Sequence, residues 1–230
     1  MKYPTLIVDN FFDNPDEIRD YSDNCDWFRS DRVIGHTTKD LSSKSEHQNF
    51  FHFVGHKVLS LIQPYDTHKI IYNAGLYFQK QITGKSHLDG WVHKDDAAEM
   101  TAIIYLNKKD TFGTNIYNRK NQWSSGVSSL SGSVGDNIKH NGFKNAENDN
   151  FDEESFLIEK KKNNQYYNPV IEVSGLYNRI LMMDSSQYHA LQLPSPEKNN
   201  EERLILMMFF YSLQMPGLKD GVIESRRFRS

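Results

Sequence analysis

The sequence contains a single cysteine, Cys25, so no disulfide can close within the chain and no zinc site made of several thiolates can be assembled. This usage fits a reducing compartment, and the cytoplasm is the expected location. A long hydrophobic run is also missing. The opening MKYPTLIVDNFF is too short and too interrupted in its apolar part for a signal peptide, and no segment approaches the ~20 apolar residues of a membrane span. A soluble, unexported protein is therefore expected. Charge of one sign is lacking too: 27 Lys and Arg against 30 Asp and Glu leave a net charge of -3, without the basic excess that neutralises nucleic acid phosphates. Nucleic acid is accordingly a disfavoured partner. No internal repeat is present.

What is there is a 230-residue chain, long enough for one large domain over 1–230 with a substantial core. Leu6 to Val8 resembles a short strand. It is followed by Asp13 or Asn14 as a helix cap and by Pro15, Asp16 and Glu17 in a first turn, which predicts a helix over about 15–22. In SEHQNFFHFVGHKVLSLI, Phe50, Phe51, Val54, Val58, Leu61 and Ile62 fall in one helical arc, as on a helix that lies against a sheet. From Tyr72 the period changes. NAGLYFQKQI, MTAIIYLN, GTNIY, RILMMDS and RLILMMFFY are short aromatic or β-branched runs separated by polar turns, enough strands for two packed sheets. Between Asn118 and Pro169 the composition turns to Ser, Asn, Gly and Lys, with only Phe156 to Ile158 resembling a structural run. This polar insert, 118–169, reads as too polar to form core and is expected to close over a site.

Nine histidines make chance pairings certain, so each constellation needs a context. His52 and His56 stand four apart on the predicted helix, but Phe53 occupies the place of the glutamate in a His-Glu-x-x-His metalloprotease, and both project away from the apolar arc. They read as a solvated face. SGSVGDN has glycines but no Lys-Ser/Thr pair, and the acidic stretch NDNFDEES lacks the glycine and ligand alternation of a calcium loop. More telling is SHLDGWVHKDD, which contains His-x-Asp twice, at His87/Asp89 and His93/Asp95. Six extended residues span roughly 20 Å, so the pairs share one metal only if the chain folds back at Gly90. The second pair follows the apolar Trp91-Val92 and leads into a buried strand; the first lies between Gly84 and Gly90 and reads as a surface loop. His189, in QYHALQL, offers a third ligand after another buried run, and Arg203 begins an otherwise apolar strand.

The ordered set WVHKD, TAIIYLN, GTNIY, YNRILMMDSSQYHALQL and RLILMMFFY resembles the iron(II) and 2-oxoglutarate dependent oxygenases, in particular their prolyl 4-hydroxylase-like branch. The likeness covers about Tyr72 to Tyr211 apart from the insert, and DNFFDNPDEIRDY is similar to the first helix of that branch. The resemblance implies a mainly β, jelly-roll or cupin-like double-stranded β-helix with flanking N-terminal helices. It also implies His93, Asp95 and His189 as iron ligands, Arg203 as the anchor for the distal carboxylate of 2-oxoglutarate, and Tyr105 lining the cosubstrate pocket. Where many relatives carry two glycines this chain has Phe112-Gly113.

Two imidazoles and a carboxylate on one face leave adjacent iron positions open for a chelating 2-oxo acid and for O2, with ascorbate as a reductant in vitro. Such chemistry hydroxylates a substrate and releases succinate and CO2. Arg203 suits a carboxylate because guanidinium stays charged among apolar neighbours and presents paired donors in a plane; Tyr105 can donate as well or simply pack. The carboxylate at Asp95 argues against the related halogenases, which by resemblance carry a small residue there. A cupin-like metal hydrolase or isomerase, or a non-catalytic jelly-roll module, are the alternatives. The substrate, a peptide side chain or a small molecule, is not legible.

Overall fold

The computed structural model describes residues 2–29, 35–65, 67–81, 88–109, 111–120, 133–146, 148, 150–192, 202–215, 218–219 and 222–223. Two antiparallel sheets face each other. The larger consists of β1 (Leu6–Val8), β2 (Trp27–Arg29), β3 (Gly35–Thr38), β4 (Ile71–Gln81), β5 (Met100–Tyr105), β8 (Ile180–Asp184) and β10 (Leu204–Gln214), ordered β1-β8-β5-β10-β4-β3-β2. The smaller is β7-β6-β9, from β6 (Thr111–Arg119), β7 (Tyr167–Gly175) and β9 (Tyr188–Leu191).

Side-chain alternation along the large sheet divides two cores. Leu204, Leu206, Met208 and Phe210 of β10, with Leu76 and Phe78 of β4 and Ile104 of β5, face outward. There they meet α1 (Pro15–Asp23) and α2 (Gln48–Leu59), the latter through Phe51, Val54, Val58 and Leu59. Ile205 and Met207, with Ile103, Tyr105, Leu181 and Met183, face inward and meet Ile116 and Val173 of the small sheet. Strands buried on both faces carry continuous apolar runs, which is why β5, β8 and β10 are conspicuous in the sequence.

Two expectations are corrected. The insert is not a coreless excursion: α3 (Ser133–Asn145) and α4 (Glu153–Asn164) bury Phe143, Ala146 and Phe156 against Leu88 and Trp91. Its apolar residues are too few for a sheet layer, yet roughly one per helical turn suffices to cover two large side chains. Asp152, within the acidic stretch, caps α4 by accepting from the Ser155 N–H at 3.0 Å, with Glu153 and Glu154 in the first turn. Nor is the segment around Asp89 a surface loop, because Leu88 and Gly90 are buried and Asp89 half-buried; Gly90, at φ 82°, takes the left-handed turn that brings Leu88 and Trp91 inward. His87 lies outside the described residues. Trp91 to His93, expected as a strand end, forms only an isolated bridge.

Gly113 sits where β6 slips in register against β7, and a Cβ there would lie 1.7 Å from the Val173 carbonyl oxygen. The contact is to backbone, so relief requires strand separation. Gly113→Ala should lower the unfolding free energy by about 1–3 kcal/mol, measured as a fall in the urea midpoint.

Candidate metal centre

His93 and His189 are joined through their backbones: each main-chain N–H donates to the other's carbonyl, at 3.0 and 2.9 Å. Asp95 is placed by its own N–H, which donates to the Ser185 carbonyl at 3.1 Å. His189 lies opposite Ile116 in the β6–β9 register, so its side chain points into the space between the sheets.

These anchors bring His93, Asp95 and His189 together with all three potential ligand atoms within 4.8 Å of one another. Asp95 Oδ1 is 3.8 Å from His93 Nε2, and Oδ2 is 3.4 Å from His189 Nε2. Both rings use Nδ1 in the same way, donating to the carbonyl two residues earlier: His93 to Trp91 at 2.8 Å and His189 to Gln187 at 3.1 Å. This fixes the proton on Nδ1 and leaves both Nε2 lone pairs aimed at the carboxylate. Burial pushes the pKa of His93 well below its ordinary value, and Lys139 acts in the same direction, so the neutral, ligating form of His93 is favoured. Asp95 Oδ2 also accepts from Thr101 Oγ1 at 2.8 Å, and Thr101 meets Ser185 Oγ at 2.8 Å. A donor set of two imidazoles and one oriented carboxylate fits a ferrous ion with open positions.

Arg203 immediately precedes β10, one alternation from Ile205, which pairs with Tyr105. It is 8% exposed. Its Nε donates to the Phe112 carbonyl at 3.0 Å, and its guanidinium carbon stands 5.4 Å from the centre of the Tyr105 ring. Burial lowers its pKa, against the opposing pull of Tyr105 and Asp89. Among the described residues no carboxylate comes within ion-pairing distance of this buried cation. Tyr105 is fully buried, its pKa raised by burial, and its hydroxyl donates to Thr114 Oγ1 at 2.9 Å across the two sheets. Nearby, Gln81 Oε1 is buried with no hydrogen-bond partner among the described residues; as an acceptor it calls for a donor. Arg203 is a buried cation that an anionic ligand would satisfy.

Asp89, of the first His-x-Asp pair, is not in the metal cluster. Its Oδ1 accepts from the Gly90 N–H at 2.7 Å and Oδ2 from Gln81 Nε2 at 3.5 Å. Sequence reasoning passed over Thr101 and Ser185, which orient Asp95, and Thr114, which meets Tyr105. Only the position of Thr101 on the inward face of β5, two residues before Ile103, could have signalled the first. Lys139, on α3 and 7% exposed, acts on His93 from the insert and carried no signal. His52 and His56 are exposed on α2.

No family model and no curated protein matches this sequence. Among solved structures, HygX from Streptomyces hygroscopicus with nickel and 2-oxoglutarate bound superposes with a TM-score of 0.54 at 9% identity, over 90% of this chain and 82% of HygX. The chain has the same fold. The structure of HygX with nickel, 2-oxoglutarate and hygromycin B gives a TM-score of 0.53 at the same identity and coverage. A prolyl-4-hydroxylase from Pseudomonas putida superposes at 0.48 with 12% identity, over 90% of this chain and 91% of its own. The double-stranded β-helix explains why the cluster lies between the sheets, since its inward-facing positions converge there.

The joint substitution His93→Ala with Asp95→Ala should abolish divalent-metal binding measured by calorimetry with nickel. Thr101→Val, which removes one hydrogen bond to the Asp95 carboxylate, should weaken it roughly tenfold.

Proposed function

We propose that the protein is an Fe(II)- and 2-oxoglutarate-dependent oxygenase that hydroxylates a peptide side chain or a small molecule. The observation that carries this reading is Arg203: a guanidinium held between the sheets without a carboxylate partner among the described residues, in the same interior as a cluster of two histidines and one aspartate. A buried charge left unpaired is costly, so its presence calls for an anionic ligand. 2-Oxoglutarate supplies a distal carboxylate to Arg203 and a chelating 2-oxo acid to the metal. HygX, which shares the fold, holds nickel and 2-oxoglutarate, and in one structure hygromycin B.

His93, Asp95 and His189 would hold Fe(II), which when bound with O2 and the 2-oxo acid supplies the oxidising power for hydroxylation. Thr101 and Ser185 keep the Asp95 carboxylate turned toward the two imidazoles. The carbonyls of Trp91 and Gln187 hold the proton of each ring on Nδ1. Tyr105 lines the cosubstrate pocket beside Arg203, its burial keeping the phenol protonated and able to donate. α3, whose Lys139 and His140 disfavour the charged form of His93, is proposed to border the metal position and meet substrate. A cupin-like hydrolase would use the same three ligands but has no need of Arg203, and a binding module needs neither. No helix among the described residues is long and apolar enough to cross a membrane; with one cysteine in the chain, the cytoplasm is the proposed location and 1–230 the proposed single domain.

Anaerobic addition of Fe(II) and 2-oxoglutarate should give a weak visible absorption, and air with ascorbate should then yield succinate. Unbiased mass spectrometry for the gain of one oxygen atom in peptides or metabolites would identify the substrate. Arg203→Ala should weaken 2-oxoglutarate binding by about 1.5–3 kcal/mol while leaving nickel affinity nearly unchanged. A folded variant that binds 2-oxoglutarate like wild type would remove the cosubstrate assignment.

A further inference from the structure

The segment that carries His93 and Asp95 is bonded to β9 on one side only. His93 uses both its main-chain groups on His189, and by the alternation of an extended chain the main-chain groups of Val92 point the other way. In a sheet a further strand would pair with them. Here α4 of the insert does so with side chains. Val92 N–H donates to Asn164 Oδ1 at 3.0 Å, and the Val92 carbonyl accepts from Asn163 Nδ2 at 3.0 Å. Asn164 Nδ2 continues to the Gly90 carbonyl at 2.8 Å, and Lys160 Nζ to the Asp89 carbonyl at 2.8 Å.

Positions 160, 163 and 164 fall on one face of a helix, and one turn earlier Phe156 packs on Trp91 with ring centres 5.8 Å apart. Lys160 and Asn163 are 7% and 3% exposed. A buried lysine and a buried asparagine are costly unless bonded, so α4 is suited to this place and to little else. Its polar contacts hold main chain, which fixes the path of the segment whatever side chains it bears.

We propose that α4 is the positioning element of the metal centre, with Asn163 and Asn164 acting as the missing strand that keeps His93 and Asp95 in register with His189. The inference rests on the proposed metal site and deepens it. Two consequences follow from linkage: loosening α4 weakens the metal, and the metal tightens α4. Neither is expected of a helix that only covers an apolar surface.

The test uses nickel and the full chain. Asn163→Ala with Asn164→Ala should lower nickel affinity roughly ten- to hundredfold, whereas Lys161→Ala, on the exposed side of the same helix, should leave it unchanged. Hydrogen exchange provides a readout that does not depend on any α4 variant folding. Nickel should slow exchange of the α4 amides in the wild type and have no such effect in His189→Ala. Wild-type nickel affinity in the folded double variant, or α4 exchange indifferent to nickel in the wild type, would overturn the inference while leaving the metal site intact. A wild-type chain that binds no nickel would overturn the metal site itself, and this inference with it.

Discussion

The reciprocal pair of main-chain hydrogen bonds between His93 and His189 is the constraint on which the rest depends. The two residues lie far apart in sequence, on a segment that is not a regular strand and on the four-residue β9. Their rings come within 4.5 Å, centre to centre, because the backbones are fastened first. β9 is in turn held by β6, and β6 by β7. The large sheet contributes Ser185, just beyond β8, which receives the Asp95 N–H. The arrangement of the three candidate ligands is thus set by main chain, with side chains adjusting only ring tautomer and carboxylate rotation. Ligands fixed in this way are already near their working positions, and less ordering is needed when an ion arrives.

Much of this was legible in the sequence, for a physical reason. β4, β5, β8 and β10 carry residues that must be apolar on one or both faces, and α1 is announced by Pro15 and two acids in its first turn. The residues that converge on the metal position stood out because charged and imidazole groups next to apolar runs are conspicuous. What escaped was structure whose stability does not come from apolar burial. β3, Gly-His-Thr-Thr, is buried through hydroxyls: Thr37 Oγ1 donates to the Phe78 carbonyl at 3.0 Å, and Thr38 Oγ1 accepts from the Phe78 N–H at 3.1 Å. β7 is the outer strand of the small sheet, exposed over much of its length and able to include Pro169 because an edge has spare positions.

α4 makes the same point more sharply. Hydrophobic periodicity detects a helix by the apolar stripe it buries, but much of the inward face of α4 is lysine and asparagine bonded to carbonyls and an N–H. To a periodicity argument such a helix is indistinguishable from a solvated loop. The polar composition of 118–169 points away from core, yet its helices bury Phe143 and Phe156 with Leu88 and Trp91. Asp89 differs from expectation for a related reason: flanking glycines are typical of a surface loop, whereas Gly90 provides a turn into the interior.

Arg203 has one more consequence. Its charge is permanent, and in its proposed role it would meet only the far end of a dicarboxylate. In the proposed reaction that end is untouched: 2-oxoglutarate and succinate present the same carboxylate on the same two methylenes. The arginine therefore cannot tell cosubstrate from product, and all discrimination must come from the other end, where the 2-oxo acid chelates and the shorter product does not. Turnover then requires the barrel to release a molecule that still satisfies its buried cation, which makes exchange of one dicarboxylate for the next a step with its own barrier.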